Sequence, residues 1–298
     1  MQDQSAAPGV NIGRRAIGAG CPTYVIAEAG VNHNGSAEQA LRLVDAAVAA
    51  GVDAVKFLVF RADELTTQTA KVAAYQKSTG ARSQREMLRR LELSDAAFER
   101  IAAHCRQCSI EFLATPFSVA DLERLLFFGV RAVKIASTDL NNAPLLRAAA
   151  DSGLPLLCST GAARAAEIRG AVRRLRGRGA GSRLVLLHCI SSYPTPLEAA
   201  NLRVIAALRN EFGVPVGFSD HTVQPQTGAW AVIAGACVLE KHFTLDREEI
   251  IISDGAKRGN PARKINAAFT KRDFKEVIAQ THIFDAALGE ETIQLFGI

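Results

Sequence analysis

The sequence predicts an α/β fold, a single-domain (β/α)8 TIM barrel, and two observations support this prediction. Eight short runs of aliphatic and β-branched residues alternate with longer segments of helical period, which is the pattern of repeated βα units. Glycine stands between several helical segments and the next run, where a left-handed residue can end a helix. The length of 298 residues suits a barrel, which needs roughly 250 residues, although two smaller domains would also fit it.

The predicted strands are short and recur along the chain. They are expected at residues 24–27, 54–57, 111–114, 132–135, 156–158, 184–188, 214–218 and 237–241. Helices are expected at residues 37–50, 95–107, 119–128, 143–152, 163–175, 197–211 and 271–288. The first strand leads into EAGVNHNG rather than the GxGxxG loop typical of an open, doubly wound sheet, so a closed barrel is favoured. Residues 1–9 are expected to form a disordered tail before a barrel domain of residues 10–298.

Composition argues against several classes of protein. The formal net charge of +5 suits anionic small substrates. Neither a nucleic acid nor a membrane partner is expected, because the basic stretch 173–183 contains no aromatic side chain and no apolar run has membrane-spanning length. Six irregularly spaced cysteines and the lack of a secretory signal favour a cytoplasmic location. His104, Cys105 and Cys108 resemble half of a zinc site but are interpreted as helix residues, because no second pair follows.

Polar residues follow the predicted strands, at the barrel face that carries the active site in this architecture. Lys56 and Lys134, beside serine and threonine hydroxyls, are expected to bind a phosphate or carboxylate between them. His221 and His242 end neighbouring strands and are candidate ligands of a divalent metal, with Mn²⁺ favoured over Mg²⁺ or Co²⁺. Any one such residue also has an ordinary structural interpretation, but several buried charges together would be costly unless paired or ligand-bound.

The other histidines leave alternatives open. His188 ends a strand and is either a hydrogen-bonded residue of the barrel wall or a ligand. His33 is either a turn residue or part of the pocket. His104 and His282 are expected on helices, where a structural or exposed position is favoured.

Eight segments lie in order within a stretch from about residue 10 to 247. They are YVIAEAGVNHNG (24–35), AGVDAVKF (50–57), FLATPFS (112–118), VKIAS (133–137), LCSTG (157–161), LLHCISSYPTP (186–196), VPVGFSDHT (214–222) and CVLEKHFTLDR (237–247). This pattern resembles the sialic acid synthase family. Its members condense phosphoenolpyruvate with an aldehyde sugar, typically N-acetylmannosamine, to give a 2-keto-3-deoxy sugar acid. The resemblance implies a C–C bond-forming transferase that uses Mn²⁺.

The resemblance also implies residue roles. It implies catalytic roles for Glu28, Lys56, Lys134 and Tyr193, substrate-binding roles for Thr115, Ser137, Ser159 and Ser219, and metal-binding roles for His221 and His242. Asp139 is a further catalytic candidate, and Ser191 and Asp254 are further substrate-binding candidates. In the family, the matching lysines and hydroxyls hold phosphoenolpyruvate, and the residues matching Glu28 and Tyr193 line the reacting centre. The mechanism that the resemblance implies is attack of the phosphoenolpyruvate methylene carbon on the aldehyde, which a bound metal would polarise as a Lewis acid, followed by addition of water and loss of phosphate.

The chain departs from the family pattern around the acceptor sugar. Leu58 and Asp139 stand where the family usually has glutamine and glutamate, at positions that face the acceptor. Asp254 is a candidate for the family's acceptor-binding aspartate, but Gly255 replaces the histidine that follows it. The family's C-terminal antifreeze-like domain, which supplies an arginine to the partner subunit, is expected to be absent. The basic residues nearby either form a solvated loop or replace that arginine; they are Lys257, Arg258, Arg263 and Lys264.

These departures predict a retained donor and an altered acceptor. Two questions about partners stay open: whether the chain forms a homo-oligomer, and whether a separate protein supplies the cap. Two alternatives compete with the sialic acid synthase interpretation: another phosphoenolpyruvate aldol synthase of specialised metabolism, and a noncatalytic barrel that acts as a binding partner. The paired lysines and histidines argue against the second alternative, because a binding scaffold has no chemical need for a metal pair beside an anion pocket.

Overall fold

The computed structural model describes residues 9–67, 83–246 and 268–288. Its strands are β1 (Val10–Ile12), β2 (Arg15–Ile17), β3 (Tyr24–Gly30), β4 (Ala54–Val59), β5 (Glu111–Pro116), β6 (Val133–Ile135), β7 (Leu156–Ser159), β8 (Leu184–His188), β9 (Val216–Asp220) and β10 (Val238–His242). Eight of them form one sheet in the order β5-β4-β3-β10-β9-β8-β7-β6. Every strand pair in this sheet is parallel, and β5 and β6 at the two ends lie side by side. The ring is therefore nearly closed, and the predicted TIM barrel is confirmed.

Helices connect the strands and cover the outside of the barrel. Within the described ranges they are α1 (Ala37–Ala50), α2 (Ala62–Leu65), α3 (Gln84–Leu91), α4 (Asp95–Gln107), α5 (Val119–Phe128), α6 (Ala143–Asp151), α7 (Ala165–Arg176), α8 (Arg203–Phe212), α9 (Gln226–Ile233) and α10 (Lys271–Leu288). The apolar stripe of each long helix packs against the strands, so one large apolar cluster fills the layer between helices and barrel.

Serine caps set the first residue of several helices. The hydroxyls of Ser36, Ser94 and Ser118 each accept a hydrogen bond from the backbone N–H three residues later. Gly51 and Gly129 end α1 and α5 with left-handed φ angles of 85° and 79°. Because these caps are local sequence signals, the predicted bounds of α1, α4 and α5 agree with the structure.

A short antiparallel hairpin, β1–β2, was not predicted and closes the amino-terminal end of the barrel. Ile12 and Ile17 are fully buried there and join the apolar cluster at the bottom of the barrel, which includes Tyr24 and Leu113. Residues 1–8 of the predicted tail lie outside the described residues.

Side chains alternate in direction along each strand, which places a layer of polar side chains above the apolar cluster at the bottom of the barrel. This cluster is called the floor below. In β3, Tyr24 and Ile26 belong to the floor, and Glu28 follows on the same face. In β4, Ala54 belongs to the floor and Lys56 follows it. The same two-residue step leads from Leu113 to Thr115 in β5 and from Leu157 to Ser159 in β7, so polar side chains of distant segments meet at one level.

Other elements differ from the prediction. The segment 197–211, predicted as one helix, is divided into a short 3-10 helix (Leu197–Ala199) and α8, because Asn201 between them has a left-handed φ of 48°. The helices α2, α3 and α9 were not predicted. Among the described helices, none is both long and apolar enough to cross a membrane.

Candidate active site

A cavity of about 270 Å³ opens at the carboxyl ends of the barrel strands. This volume lies just below the roughly 300–1,000 Å³ range of small-molecule sites. Its wall includes most of the predicted site residues: Glu28, Lys56, Thr115, Lys134, Ser137, Ser159, Ser191, Tyr193, Ser219, His221 and His242. The polar residues predicted from the strand ends therefore lie around one space.

Two buried lysines and two buried glutamates form the base of the cavity. Lys56 Nζ contacts Glu28 Oε2 directly and lies 3.7 Å from Glu240 Oε2. Lys134 Nζ lies 3.7 Å from Glu240 Oε1, so Glu240 lies between the two ammonium groups. Thr115 Oγ1 accepts a 3.1 Å hydrogen bond from Lys56. The two cations and two carboxylates compensate one another, which permits their burial without a ligand.

Burial and neighbouring charges set the protonation states of these lysines and glutamates. The pKa of Lys56 is lowered to about 7, chiefly by burial and also by the charge of Lys134, with Glu240 opposing the shift. Burial alone would raise the pKa of Glu240, but Lys134 and Lys56 outweigh it and lower that pKa to about 2. Glu240 is therefore ionised at neutral pH, where Lys56 is close to the midpoint of its titration. The charge on Lys56 then depends on what occupies the cavity.

A group of small polar side chains surrounds Gly161 on the β6–β8 side of the barrel. A methyl group built on Gly161 would lie 2.8 Å from Ser191 Oγ, 3.0 Å from Ser137 Oγ and 2.7 Å from Cys189 Sγ. The Gly161 N–H also points at Cys189 Sγ, at 3.2 Å. The missing side chain thus keeps these polar atoms close together, in a group that can donate hydrogen bonds to an anion.

Gly161→Ala is therefore expected to weaken anion binding. The added methyl group must push the two hydroxyls apart, so the dissociation constant for phosphoenolpyruvate should rise by about tenfold or more, the cost of roughly one or two hydrogen bonds. Titration calorimetry with phosphoenolpyruvate measures this change. The matched control is Gly170→Ala on α7, where an added Cβ meets no atom within 4 Å; equal affinity of both variants for the anion would contradict this role of Gly161.

Two histidines and a tyrosine line the cavity wall beside the charged base. The rings of His221 and His242 lie 5.2 Å apart between centroids, and Tyr193 lies 4.2 Å from His221. The Tyr193 hydroxyl shares a 3.2 Å hydrogen bond with His221 Nε2, whereas the buried Nδ1 of His221 has no hydrogen-bond partner among the described residues. That nitrogen is therefore free to bind a ligand such as a metal ion.

Both imidazoles are neutral at physiological pH. The pKa of His242 is lowered to about 4, first by burial and then by the charge of Lys56. The pKa of His221 lies well below its usual value because of burial and the neighbouring His242. A neutral ring nitrogen keeps the electron pair that a divalent metal requires, so the residues fit a metal ion held by two imidazoles and completed by water or substrate oxygen.

Some predicted residues have other positions. Asp139 does not line the cavity, because it lies in a 3-10 helix (Ser137–Asp139) and its carboxylate accepts hydrogen bonds of 3.1 Å from Asn142 and Thr138. His33 is a buried turn residue whose Nδ1 accepts the Gly35 N–H, and it is absent from the cavity wall. His188 is bonded through Nε2 to the Ala200 carbonyl at 2.8 Å, as expected of a residue of the barrel wall.

Asp254 lies outside the described residues, as do Gly255 and the four basic residues that follow. Their proposed roles therefore stay predictions.

Sequence reasoning missed the central position of Glu240. No role was predicted for this residue. The available signal was its spacing, because Glu240 precedes His242 by two residues and so shares its face of β10. Lys241 between them points away from the cavity and pairs with Asp220 at 2.8 Å.

The comparisons with known proteins agree with this arrangement. A model of the NeuB family matches residues 43–292. The chain is 41% identical over 240 residues to N,N'-diacetyllegionaminic acid synthase of Legionella pneumophila, a match that covers 79% of this chain and 67% of that protein. It is 32% identical over 275 residues to pseudaminic acid synthase of Campylobacter jejuni, covering 91% of this chain and 76% of that protein.

A solved structure supports the same relationship. The crystal structure of N-acetylneuraminic acid (sialic acid) synthetase from Leptospira borgpetersenii matches with a TM-score of 0.83 and 31% identity. The match covers 98% of this chain and 93% of that chain. Sequence motifs, barrel and comparisons therefore lead to one conclusion: the chain belongs to the NeuB family of sialic acid synthase-like enzymes.

Proposed function

We propose that this enzyme condenses phosphoenolpyruvate with an aldehyde sugar and releases phosphate, giving a 2-keto-3-deoxy sugar acid of the nonulosonic type. The observation that carries the proposal is the cavity itself, in which two buried lysines and several hydroxyls lie beside two neutral histidines. The relatives that are synthases of legionaminic and pseudaminic acids support the same reaction class.

The lysines and hydroxyls are suited to the donor. Phosphoenolpyruvate carries a phosphate and a carboxylate, and Lys56 and Lys134 can each neutralise one charge while hydroxyls such as those of Ser137 and Ser191 donate hydrogen bonds. Because Glu28 and Glu240 already hold the ammonium groups in place, the site is preorganised. The incoming anion then competes with these carboxylates for the same cations.

His221 and His242 would hold a divalent metal, with Mn²⁺ as the favoured ion. When bound, such an ion supplies Lewis-acid polarisation of the acceptor's carbonyl oxygen. The Tyr193 hydroxyl fixes the orientation of the His221 ring through its hydrogen bond to Nε2. Tyr193 therefore positions a metal ligand and also lines the space for the acceptor.

The reaction forms one C–C bond and one C–O bond from water, and it breaks the C–O bond to phosphate. The two protons of that water end on the aldehyde oxygen and on the released phosphate. The methylene carbon of phosphoenolpyruvate attacks the aldehyde carbon, and the aldehyde oxygen becomes the hydroxyl of the product. Water adds to the carbon that bears the phosphate, and the resulting tetrahedral species expels phosphate to leave a ketone. Glu28 is suited to accept a proton from that water, because its Oε1 is buried in the cavity without a hydrogen-bond partner among the described residues.

The acceptor is proposed to carry an apolar substituent. Val31, Leu58 and Phe117 line the cavity on the β3–β5 side, where Leu58 and Phe117 pack against a small apolar cluster. The opposite side carries hydroxyl groups, including those of Ser137 and Thr138. A sugar with a methyl or acetamido group on one edge and hydroxyls on the other matches this division, in keeping with the diacetylated product named for the Legionella relative.

Leu58→Gln tests the apolar side of the cavity. The variant should lower the preference for a 6-deoxy acceptor over its 6-hydroxy counterpart by about tenfold in kcat/KM, the usual contribution of one methyl group in an apolar pocket. Steady-state kinetics with the paired sugars gives this ratio. Leu58→Met, which keeps an apolar side chain of similar volume, should retain the preference; an unchanged ratio in Leu58→Gln would contradict contact between Leu58 and the acceptor.

Affinity for phosphoenolpyruvate should fall as the pH rises above about 7. Lys56 in the empty site has a pKa of about 7, so below this pH the ammonium is already present, and above it the ligand must bind together with a proton. The dissociation constant should therefore increase roughly tenfold per pH unit between pH 7.5 and 9, where the phosphate is fully ionised. Calorimetry in buffers of different ionisation enthalpy also measures the proton uptake.

Lys56→Arg is the control for this pH dependence. Arginine stays protonated throughout the range, so its complex should show a flat profile even if its affinity is lower. A flat profile in the wild-type protein would show that Lys56 stays charged in the empty site.

Acceptor-dependent phosphate release tests the proposed function. The protein is incubated with phosphoenolpyruvate and Mn²⁺ across aldehyde sugars that include N-acetylmannosamine, mannose, diacetamido-6-deoxyhexoses and phosphorylated aldoses. Release tied to one sugar, and abolished in Lys134→Ala, supports the synthase and identifies its acceptor. Phosphate release that is equal with and without sugar would contradict it.

A further inference from the structure

Three side chains with metal-binding atoms meet on the outer surface of the barrel, away from the cavity. Asp45 lies on α1, and His104 and Cys108 lie one turn apart on α4 and at its C-terminal cap. Their candidate ligand atoms lie within 4.8 Å of one another. Among the residues that the structure describes, no other group of three such side chains brings its ligand atoms this close together.

One of the two distances from the His104 nitrogen is close to that around a zinc ion, and the other is shorter. His104 Nε2 lies 3.8 Å from Cys108 Sγ and 2.6 Å from Asp45 Oδ1. A tetrahedral zinc with ordinary bond lengths separates a nitrogen from a sulfur ligand by roughly 3.6 Å and from an oxygen ligand by roughly 3.4 Å. The nitrogen–sulfur pair already has this spacing. The Asp45 side chain is 61% exposed and can move outward to complete it.

The two helices hold the three residues in a fixed relation. Helices α1 and α4 pack side by side, and an exposed ion pair between Glu38 and Arg100, at 3.3 Å, joins them further toward their amino ends. Cys105 on α4 is fully buried against the core, which turns the adjacent His104 toward the outside. The spacing of one helical turn then brings Cys108 to the same face.

The chemistry of the cluster selects a borderline or soft divalent cation. An imidazole, a thiol and a carboxylate are the usual ligand types of zinc, whereas magnesium and calcium prefer oxygen ligands alone. The partial negative charge at the C-terminal end of α4 also favours a cation near Cys108. All six cysteines are free thiols in this structure, so Cys108 is available as a thiolate ligand.

We propose that Asp45, His104 and Cys108 form a second metal site that binds Zn²⁺ or a similar cation through three protein ligands, with solvent in the fourth position. Binding releases the thiol proton of Cys108 and links α1 to α4. The site is separate from the His221 and His242 pair, and the inference does not depend on the proposed reaction.

Cobalt provides the most direct test, because a thiolate bound to Co²⁺ gives a charge-transfer absorption near the ultraviolet that an imidazole site lacks. Untagged, metal-free, reduced protein is titrated with Co²⁺ and then with Zn²⁺. The wild-type protein should develop this band with one equivalent, lose it when Zn²⁺ displaces Co²⁺, and show a higher Tm with Zn²⁺. Cys108→Ser should abolish the band and weaken Zn²⁺ binding at this site by at least roughly tenfold.

Two controls assign the band to this cluster. Cys21→Ser removes another partly exposed thiol, and the double variant His221→Ala/His242→Ala removes the imidazoles of the cavity; both should retain the band. Asp45→Asn should weaken Zn²⁺ binding without removing the band. A wild-type protein with no thiolate band, or a band that persists in Cys108→Ser, would overturn the proposal.

Discussion

Replacing His221 with alanine is expected to lower kcat/KM for the acceptor by at least about 10³-fold. The variant loses one of the two neutral imidazoles that would hold the metal in the cavity. Lewis-acid polarisation contributes several kcal/mol to such reactions, which corresponds to this loss in rate. Mn²⁺ affinity, measured by electron paramagnetic resonance, should fall in parallel.

Measuring the affinity for phosphoenolpyruvate distinguishes the loss of a metal ligand from damage to the phosphoenolpyruvate site. In His221→Ala it should change little compared with the loss of rate, because the lysines and hydroxyls that hold the anion are intact. His282→Ala, an exposed position on α10, is the matched control and should retain full activity. Wild-type activity in His221→Ala, or activity that needs no metal, would contradict the role given to this histidine.

Glu240→Gln is expected to lower both stability and activity. The glutamate separates two buried ammonium groups, so its neutral amide leaves Lys134 without a carboxylate partner among the described residues and removes one partner of Lys56. Its carboxyl pKa is about 2 in the folded protein and about 4.5 in a model compound, a difference that contributes about 3 kcal/mol to folding at pH 7. The free energy of unfolding of the variant should fall by about this amount.

The pH dependence of this difference is a second readout. A depressed carboxyl pKa stabilises the fold fully above about pH 4.5, and this contribution disappears as the pH falls toward 2. Urea unfolding should therefore show a wild-type advantage over Glu240→Gln that is constant near neutral pH and shrinks below pH 4.5.

Two control variants separate the charge of Glu240 from its hydrogen bond. Glu240→Asp keeps the charge and should retain most of the stability. Ser219→Ala removes only the 2.7 Å hydrogen bond to Oε1 and should lose about 1 kcal/mol. A Glu240→Gln protein as stable as the wild type at pH 7 would contradict the ionic network.

The helices and strands were largely predictable, because their signals are local. Serine caps fix the first residues of α1, α4 and α5, glycines end α1 and α5, and the apolar runs mark the strands of the barrel. The β1–β2 hairpin was missed because its strands have three residues each, and Ile12 and Ile17 are stabilised by contacts with residues far along the chain. Such contacts leave no periodic pattern in the local sequence.

The site was predictable where residue type and strand end coincide. Lys56, Lys134, His221 and His242 line the cavity as their positions suggested. Charge compensation was not predictable, because the Lys56–Glu28 and Lys134–Glu240 contacts join different strands and depend on register. For Asp139, the local hydrogen bonds to Thr138 and Asn142 compete with a position in the cavity.

The most direct test of the proposed reaction follows the carbon atoms of phosphoenolpyruvate. The enzyme is supplied with uniformly ¹³C-labelled phosphoenolpyruvate, Mn²⁺ and the acceptor that supports phosphate release, and the products are analysed by mass spectrometry. The proposal predicts a 2-keto-3-deoxy sugar acid that contains all the labelled carbons, formed in equal amount with phosphate. Label recovered as free pyruvate, with the sugar unchanged, would show hydrolysis without C–C bond formation and would contradict the proposal.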